Sequence, residues 1–447
     1  MSNITKNPEN AENKLDFKKV LPVFVIVFID LLGLTIIIPL LPLYAASYGA
    51  DPFLIGMLSA TYPLMQFFGA PLLGRLSDRF GRRPVLLVSQ VGTLIGFLIL
   101  GFANTLWLLF LSRLIDGISG ANIATAQAVI TDSTTEKTRT QGLGLIGAAF
   151  GLGFIIGPVI AFITLGATGN NYAVVAYVAA TFSLISILLT YFWLKETLPP
   201  EKRGQGEERP GVNLKAMLTA LGKPRIGFLL ALMFCYQFAF GGYEYLLALF
   251  TLDRLGMNAA ANSGLFVYAG IIIVAVQGYF VGKWSKRFGD RWLILFGLIV
   301  LGTGLILTAV TPPQPVPWYS RSAIEAEMTT DTSRETDIQI NLPDEADKSW
   351  LGFAWLLVAT IPASIGGGIM QPTINSILSK QVSVHEVGGT LGMSSAFFSA
   401  ANAITPILLG AVFKWFGSTW PFLIAGGILL LLYPITQPRL PQAEKTL

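Results

Sequence analysis

Apolar residues along this 447-residue chain come in long continuous runs rather than in alternation. They lie near 20–44, 53–73, 84–103, 106–130, 141–165 and 172–194, then near 226–250, 263–282, 291–311, 351–378, 389–413 and 419–436. A hydrocarbon core about 30 Å thick is crossed by about 20 helical residues. Runs that stay apolar for that length, instead of alternating over about ten residues, predict helices and not the strands of a barrel. The pattern therefore predicts an all-α integral membrane protein with twelve transmembrane helices.

Composition agrees and narrows the class. Hydrophobic residues make up 53% of the chain and charged ones only 13%, against roughly 25% charged in soluble domains. A soluble fold and a nucleic-acid partner are excluded on that ground. No short apolar core with a small-residue cleavage site precedes the first run, so no signal peptide is expected. The charge distribution sets an orientation. If the N-terminus is cytoplasmic, the inner segments hold 24 of the 30 lysines and arginines. They sit in the tail, in 74–83, at Lys137 and Arg139, in 195–225, in 282–291, at Lys380 and after the last span. The outer side keeps Arg254, Arg321, Arg334, Lys348 and Lys414, and Arg113 lies within a span. Basic residues concentrate on the cytoplasmic side, which predicts a multi-pass protein of the inner or plasma membrane with both termini inside.

The second half of the chain repeats the first. "GRLSDRFGRR" (Gly74–Arg83) reappears 208 residues later as "GKWSKRFGDR" (Gly282–Arg291). Further on the offset is 248, pairing Trp107 with Trp355, Gly120 with Gly368, Gly144 with Gly392 and Pro158 with Pro406. The change of offset marks an insertion, the acidic, proline-flanked segment 312–349. Its polarity and lack of periodicity predict a mobile external loop. The expected units are a tail (1–19), a six-helix half (20–194), a linker (195–225), a second half (226–436) carrying the insertion, and a tail (437–447). Two repeated six-span halves are the architecture of secondary transporters, with the substrate site between the halves near the bilayer midplane.

The chain resembles the major facilitator superfamily, in its twelve-span drug:proton antiporter branch, and is similar to the tetracycline-efflux proteins. The resemblance is carried by "FIDLLGLTIIIPLLPLY" (Phe28–Tyr44), by "GRLSDRFGRRPVLL" and by "GLGFIIGPVIA" (Gly151–Ala161). It implies the pseudo-symmetric major facilitator fold and a gating loop made by Gly74, Asp78, Arg79, Gly81, Arg82 and Arg83. Asp78 can accept hydrogen bonds from a neighbouring helix N-terminus or from arginines, latching the halves on the cytoplasmic side; the bland alternative is a basic topology anchor. Lys286 and Asp290 break the pattern in the second copy, so the first is expected to carry the function. Gly151, Gly153, Gly157 and Pro158 match the branch's antiporter helix, where small residues allow close approach and proline permits a bend.

Charges inside spans are costly and therefore functional until shown otherwise. Asp30 lies near the middle of span one with no basic neighbour on its helix. Arg113 and Asp116 share a face of span four and can neutralise each other. These three are the expected proton-coupling residues. Asp30, Tyr62, Gln66, Asn122, Gln127, Gln237, Glu244, Gln371 and Asn375 are the candidates to line a substrate cavity, although Asn and Gln also join helices structurally. No phosphate loop is present, so no nucleotide motor is expected. His385 is the single histidine and Cys235 the single cysteine, too few for a metal site or a nucleophile–base pair; no cofactor or metal is expected.

Together these features predict a proton-coupled antiporter that exports small amphipathic compounds by alternating access, acting as a monomer. A metabolite symporter or facilitator is the alternative within the class, and a non-transporting receptor or scaffold the alternative outside it. In tetracycline exporters the third span carries an acid after the arginine turn. Gly96 stands there in this chain, which argues against tetracycline itself.

Overall fold

In a bilayer, backbone polar groups are satisfied within a helix or a closed barrel, and the described residues form helices without any strand. The computed structural model describes residues 17–135, 138–204, 214–224, 226–328, 342–382 and 387–440. Expectations for both terminal segments, for 205–213, Lys137, Arg225, 329–341 and His385 lie outside the described residues.

The first six spans are Phe17–Ile37, Pro52–Phe80, Arg82–Gly101, Leu106–Asp132, Arg139–Thr168 and Tyr172–Phe192. The second six are Gly227–Leu255, Ala259–Phe288, Asp290–Ala309, Leu351–Lys380, Val387–Phe416 and Thr419–Thr436. Eleven are long and apolar enough to cross a membrane by composition alone. Span seven, Gly227–Leu255, is equally long at 29 residues; Gln237, Glu244, Asp253 and Arg254 dilute its apolar content.

Local chemistry fixes the span ends. The Asp51 carboxylate accepts from the amides of Phe53 and Leu54 at 2.9 and 3.0 Å, with Pro52 at the first helical position. Asn171 caps span six and Asn258 caps span eight in the same way. Between spans two and three Gly81 turns the chain at φ 103°, and Gly289 does so at φ 82° in the repeat, conformations open to glycine but not to side chains.

Three spans depart from straight helices. Span one ends at Ile37, turns through Ile38–Leu40 with Pro39, and resumes as Leu41–Ala46, so the apolar run 20–44 is two helices. Span four tightens into a 3₁₀ turn at Gly120–Asn122. Span eight contains a π-helical turn at Val276–Phe280.

The halves meet along two seams. On the first, spans two and eleven touch backbone to backbone: a Cβ on Gly56 would stand 2.1 Å from the Pro406 carbonyl oxygen, and one on Gly410 2.7 Å from that of Pro52. Asp51 pairs with Lys414 at 2.8 Å beside it, and Phe53 stacks on Trp415. On the second seam, a Cβ on Gly270 of span eight would lie 2.9 Å from the Phe154 carbonyl oxygen of span five. One turn nearer the arginine turns, Gly151 is 3.7 Å from Val274; one turn further, Gly147 and Gly278 have nothing within 4 Å. Gly389 and Gly392 on span eleven are equally bare. The halves are thus closed at the Asp51 end and parted at the end that carries the arginine turns.

Among its described residues, the insertion is not the loose loop its composition predicts. Arg321–Met328 is helical, and Val316, Tyr319 and Ile324 are buried in the main hydrophobic core, which draws on both halves. Its polar sequence hid three apolar anchors.

Candidate functional site

Asp30, Tyr62, Asp116 and Asn122 line one small cavity inside the first half, together with Thr93 and Gly120. The 3₁₀ turn in span four turns Asn122 inward, and its Nδ2 donates to Asp30 Oδ2 at 2.8 Å. Asp30 Oδ1 is buried without a hydrogen-bond partner among the described residues, as is Thr93 Oγ1. Gln66 closes one side, donating to the Gly120 carbonyl at 3.1 Å and to Tyr62 Oη at 3.4 Å.

Arg113 lies behind the cavity, 1% exposed, with its guanidinium over the Phe97 ring at 5.5 Å. Its Nη1 stands 3.0 Å from Asp116 Oδ2, an ion contact without hydrogen-bond alignment, since that oxygen has no hydrogen-bond partner. The pair cancels in net charge, so Asp30 remains the uncompensated carboxylate of the cluster. Gly96 makes the arrangement possible. A Cβ there would sit 2.9 Å from Asp116 Cβ and 3.2 Å from the Ser112 carbonyl oxygen. Asp116 of span four thus abuts span three at the position where Gly96 stands.

The other cavity candidates are not gathered there. Gln127 is exposed, about five residues along span four from Asn122. Gln237 donates to Asn402 Oδ1 at 2.7 Å, tying span seven to span eleven, and Asn375 accepts from Ser394 at 2.8 Å, tying span ten to span eleven. Glu244 and Gln371 are half-buried in the second half. Asn402 and Thr93 escaped the sequence reading because each sits in a small-residue or apolar run with no distinguishing pattern.

The arginine turn is tied within its own half. Arg82 contacts Asp78, donates from Nη1 to Ser77 Oγ at 2.8 Å and from Nε to Asp132 Oδ2 at 3.0 Å. The amides of Arg82 and Arg83 point to Glu196, at 3.0 and 3.2 Å, so that linker carboxylate, not Asp78, caps span three. Arg79 lies over Phe80, and Arg83 over Tyr191. Gly74 packs against nothing within 4 Å, whereas a Cβ on Gly81 would strike Glu196 at 2.5 Å. In this state Asp78 makes no bond to the second half among the described residues.

The second copy is not simply degenerate. Asp290 accepts from Ser285, from Ser376 at 2.7 Å and from Lys380 at 2.6 Å. By the repeat offsets Asp78, Arg82 and Asp132 correspond to Lys286, Asp290 and Lys380. The Arg82–Asp132 tie is thus repeated as Asp290–Lys380 with both charges reversed.

On the antiporter helix, Gly153 and Gly157 face Thr35 of span one, the latter so closely that a Cβ would stand 2.3 Å from Thr35 Oγ1. Gly151 faces span eight across the seam. The helix runs through Pro158 without interruption.

This fold of two six-helix halves has a name. The chain belongs to the Major Facilitator Superfamily, whose family model matches residues 23–324 and 349–446. It is 27% identical to the tetracycline resistance protein, class B, of Escherichia coli, over 94% of this chain and 96% of that protein. It is 28% identical to multidrug resistance protein 1 of Bacillus subtilis, over 89% and 90%. The crystal structure of the nucleoside transporter NupG superposes with a TM-score of 0.70, covering 94% of this chain and 98% of that one at 14% identity; that likeness concerns the fold alone.

Proposed function

We propose that this protein is a proton-coupled antiporter that exports small amphipathic compounds by alternating access. The observation that carries the reading is Asp30: a span-one carboxylate with one oxygen held by Asn122, the other bare, and no cation of its own. A carboxylate in that setting is satisfied by a proton or by a donor group of a substrate, one at a time. Competition between the two couples their movements. Arg113 and Asp116 set the field behind it, and Tyr62, Gln66 and Asn122 frame the opening. Glu244, Gln237 and Gln371 offer polar contacts from the second half. The similarity to tetracycline and multidrug resistance proteins over nearly the whole chain supports an exporter over a metabolite importer.

The arginine turns mark the cytoplasmic end, so the state described is open to the cytoplasm and closed outside, ready to load. The unit of transport is one chain in the inner membrane.

Asp30→Asn keeps the shape and the hydrogen bond but cannot titrate. In proteoliposomes under an imposed pH gradient it is expected to abolish substrate-induced proton movement and uphill export, while downhill exchange of a neutral substrate survives. Full coupling in the variant would place the proton site elsewhere, Asp116 first.

A further inference from the structure

We propose that the insert helix Arg321–Met328 is an outer strap: rooted in the second half, it holds the first half through Glu327 and must let go before the outer end opens. The root is rigid. Tyr319 is 2% exposed and packs on Gly256, where a Cβ would fall 2.1 Å from the ring and where φ is +61°. The Val316 amide donates to the Leu255 carbonyl at 3.0 Å, and Tyr319 Oη to that of Pro343 at 3.0 Å. Ile324, 5% exposed, seats the helix in the core.

The far end reaches across. Glu327 Oε2 accepts from Asn170 Nδ2 at 2.9 Å, and its Oε1 from the Tyr172 hydroxyl at 2.8 Å. Both partners belong to the first half and are fixed. Asn170 follows the left-handed C-cap Gly169 of span five and is itself the one non-glycine residue at positive φ among the described residues, a conformation asparagine tolerates. Tyr172 is stacked on Tyr44 with centroids 5.0 Å apart, and Tyr44 Oη donates to the Leu100 carbonyl.

A decorative loop would leave its carboxylate in water. Both oxygens of this one reach the opposite half, while the Ala259 amide of its own half also donates to the carboxylate, at the same end of the molecule as the seam closed by Asp51 and Lys414. Moving the halves apart at this end by more than about 1 Å takes 2.8–2.9 Å contacts beyond hydrogen-bond range. The family model passes over residues 325–348, so Glu327, though not the root of the strap, lies outside the matched scaffold.

The strap rests on alternating access but not on the compound carried, and two measurements separate those. In a Cys235→Ser background, Asn170→Cys and Glu327→Cys are joined by a short bis-methanethiosulfonate linker. Joining is expected to stop transport, and reductant to restore it. Failure to join, or full transport while joined, would overturn the proposal. The second measurement needs no substrate: Ser59→Cys, buried and three residues along span two from the seam residue Gly56, is alkylated from outside with an impermeant maleimide. Glu327→Ala is expected to raise that rate at least about tenfold, the equivalent of one hydrogen bond to a charged group at the low end of its range. An unchanged rate in folded Glu327→Ala protein would sink the strap even if transport were intact.

Discussion

Gly96 and Asp116 show how much one missing side chain decides. Span four approaches span three closely enough that a methyl group on Gly96 would meet Asp116 Cβ at 2.9 Å. Overpacking of this kind costs about 1–3 kcal/mol. Removing Asp116 instead leaves Arg113 buried without its counter-charge, worth about 3–5 kcal/mol. The two changes are complementary. Gly96→Asp and Asp116→Gly are each expected to lower the melting temperature in detergent by several degrees. The double variant, which moves the carboxylate from span four to span three while keeping its volume, is expected to regain at least half the loss. A double variant no better than the worse single would show that the two positions do not share one site.

At the scale of elements, the spans were legible because a bilayer demands long apolar runs, and the capping residues Asp51, Asn171 and Asn258 punctuate them. The breaks were not. Pro39 lies in a run whose hydrophobicity never drops, and the Gly120–Asn122 turn costs no polarity. Asp30, Arg113 and Asp116 were legible because charge stands out in a greasy helix; Thr93 and Asn402 were not, because hydroxyls and amides occur there for many structural reasons. The insert misled for the opposite reason: average polarity concealed Val316, Tyr319 and Ile324. The repeated turns misled too, since matching by residue type hides a reversal of sign. Arg82 is 8% exposed, and hydrogen bonds to charged groups contribute about 1.5–3 kcal/mol. Asp132→Lys alone is therefore expected to destabilise the first turn by about 2 kcal/mol. Transplanting the whole second-copy arrangement, Asp78→Lys with Arg82→Asp and Asp132→Lys, is expected to restore thermal stability to within about 1 kcal/mol of the parent. If the triple variant is less stable than Asp132→Lys, the reversed tie is not an equivalent of the original.

For the whole molecule, two ties close the Asp51 end, the outer end in the proposed orientation, and they respond to pH in opposite senses. Burial pushes the Glu327 carboxyl up from its ordinary value of 4.5, against the lowering effect of Tyr172, the Ala259 amide and Asn170. Among the described residues no cation pairs with it; Arg321 and Glu325 of the same helix pair with each other. Opening returns Glu327 to water, so the closed state binds its proton more tightly. Its contribution to closure is fully present below the ordinary value and is lost as pH rises through the raised one. Asp51 is the reverse case: burial raises it, but Lys414 and the amides of Leu54 and Phe53 win and leave it below its ordinary 3.8. Its contribution is present above 3.8 and lost only as pH falls through the depressed value. Over the range above 3.8 in which the raised Glu327 carboxyl takes up its proton, Asp51 keeps its charge. Acidifying the outer medium across that range is therefore expected to shift the population toward the outer-closed state, read as slower alkylation of Ser59→Cys from outside. The comparison is made in an Asp30→Asn background, which removes the central titration. Glu327→Gln, which carries no charge at any pH, is expected to flatten the dependence, whereas Asp51→Asn leaves its slope unchanged. Faster alkylation at low pH, or a slope that survives Glu327→Gln, would contradict the assignment of the outer pH response to Glu327.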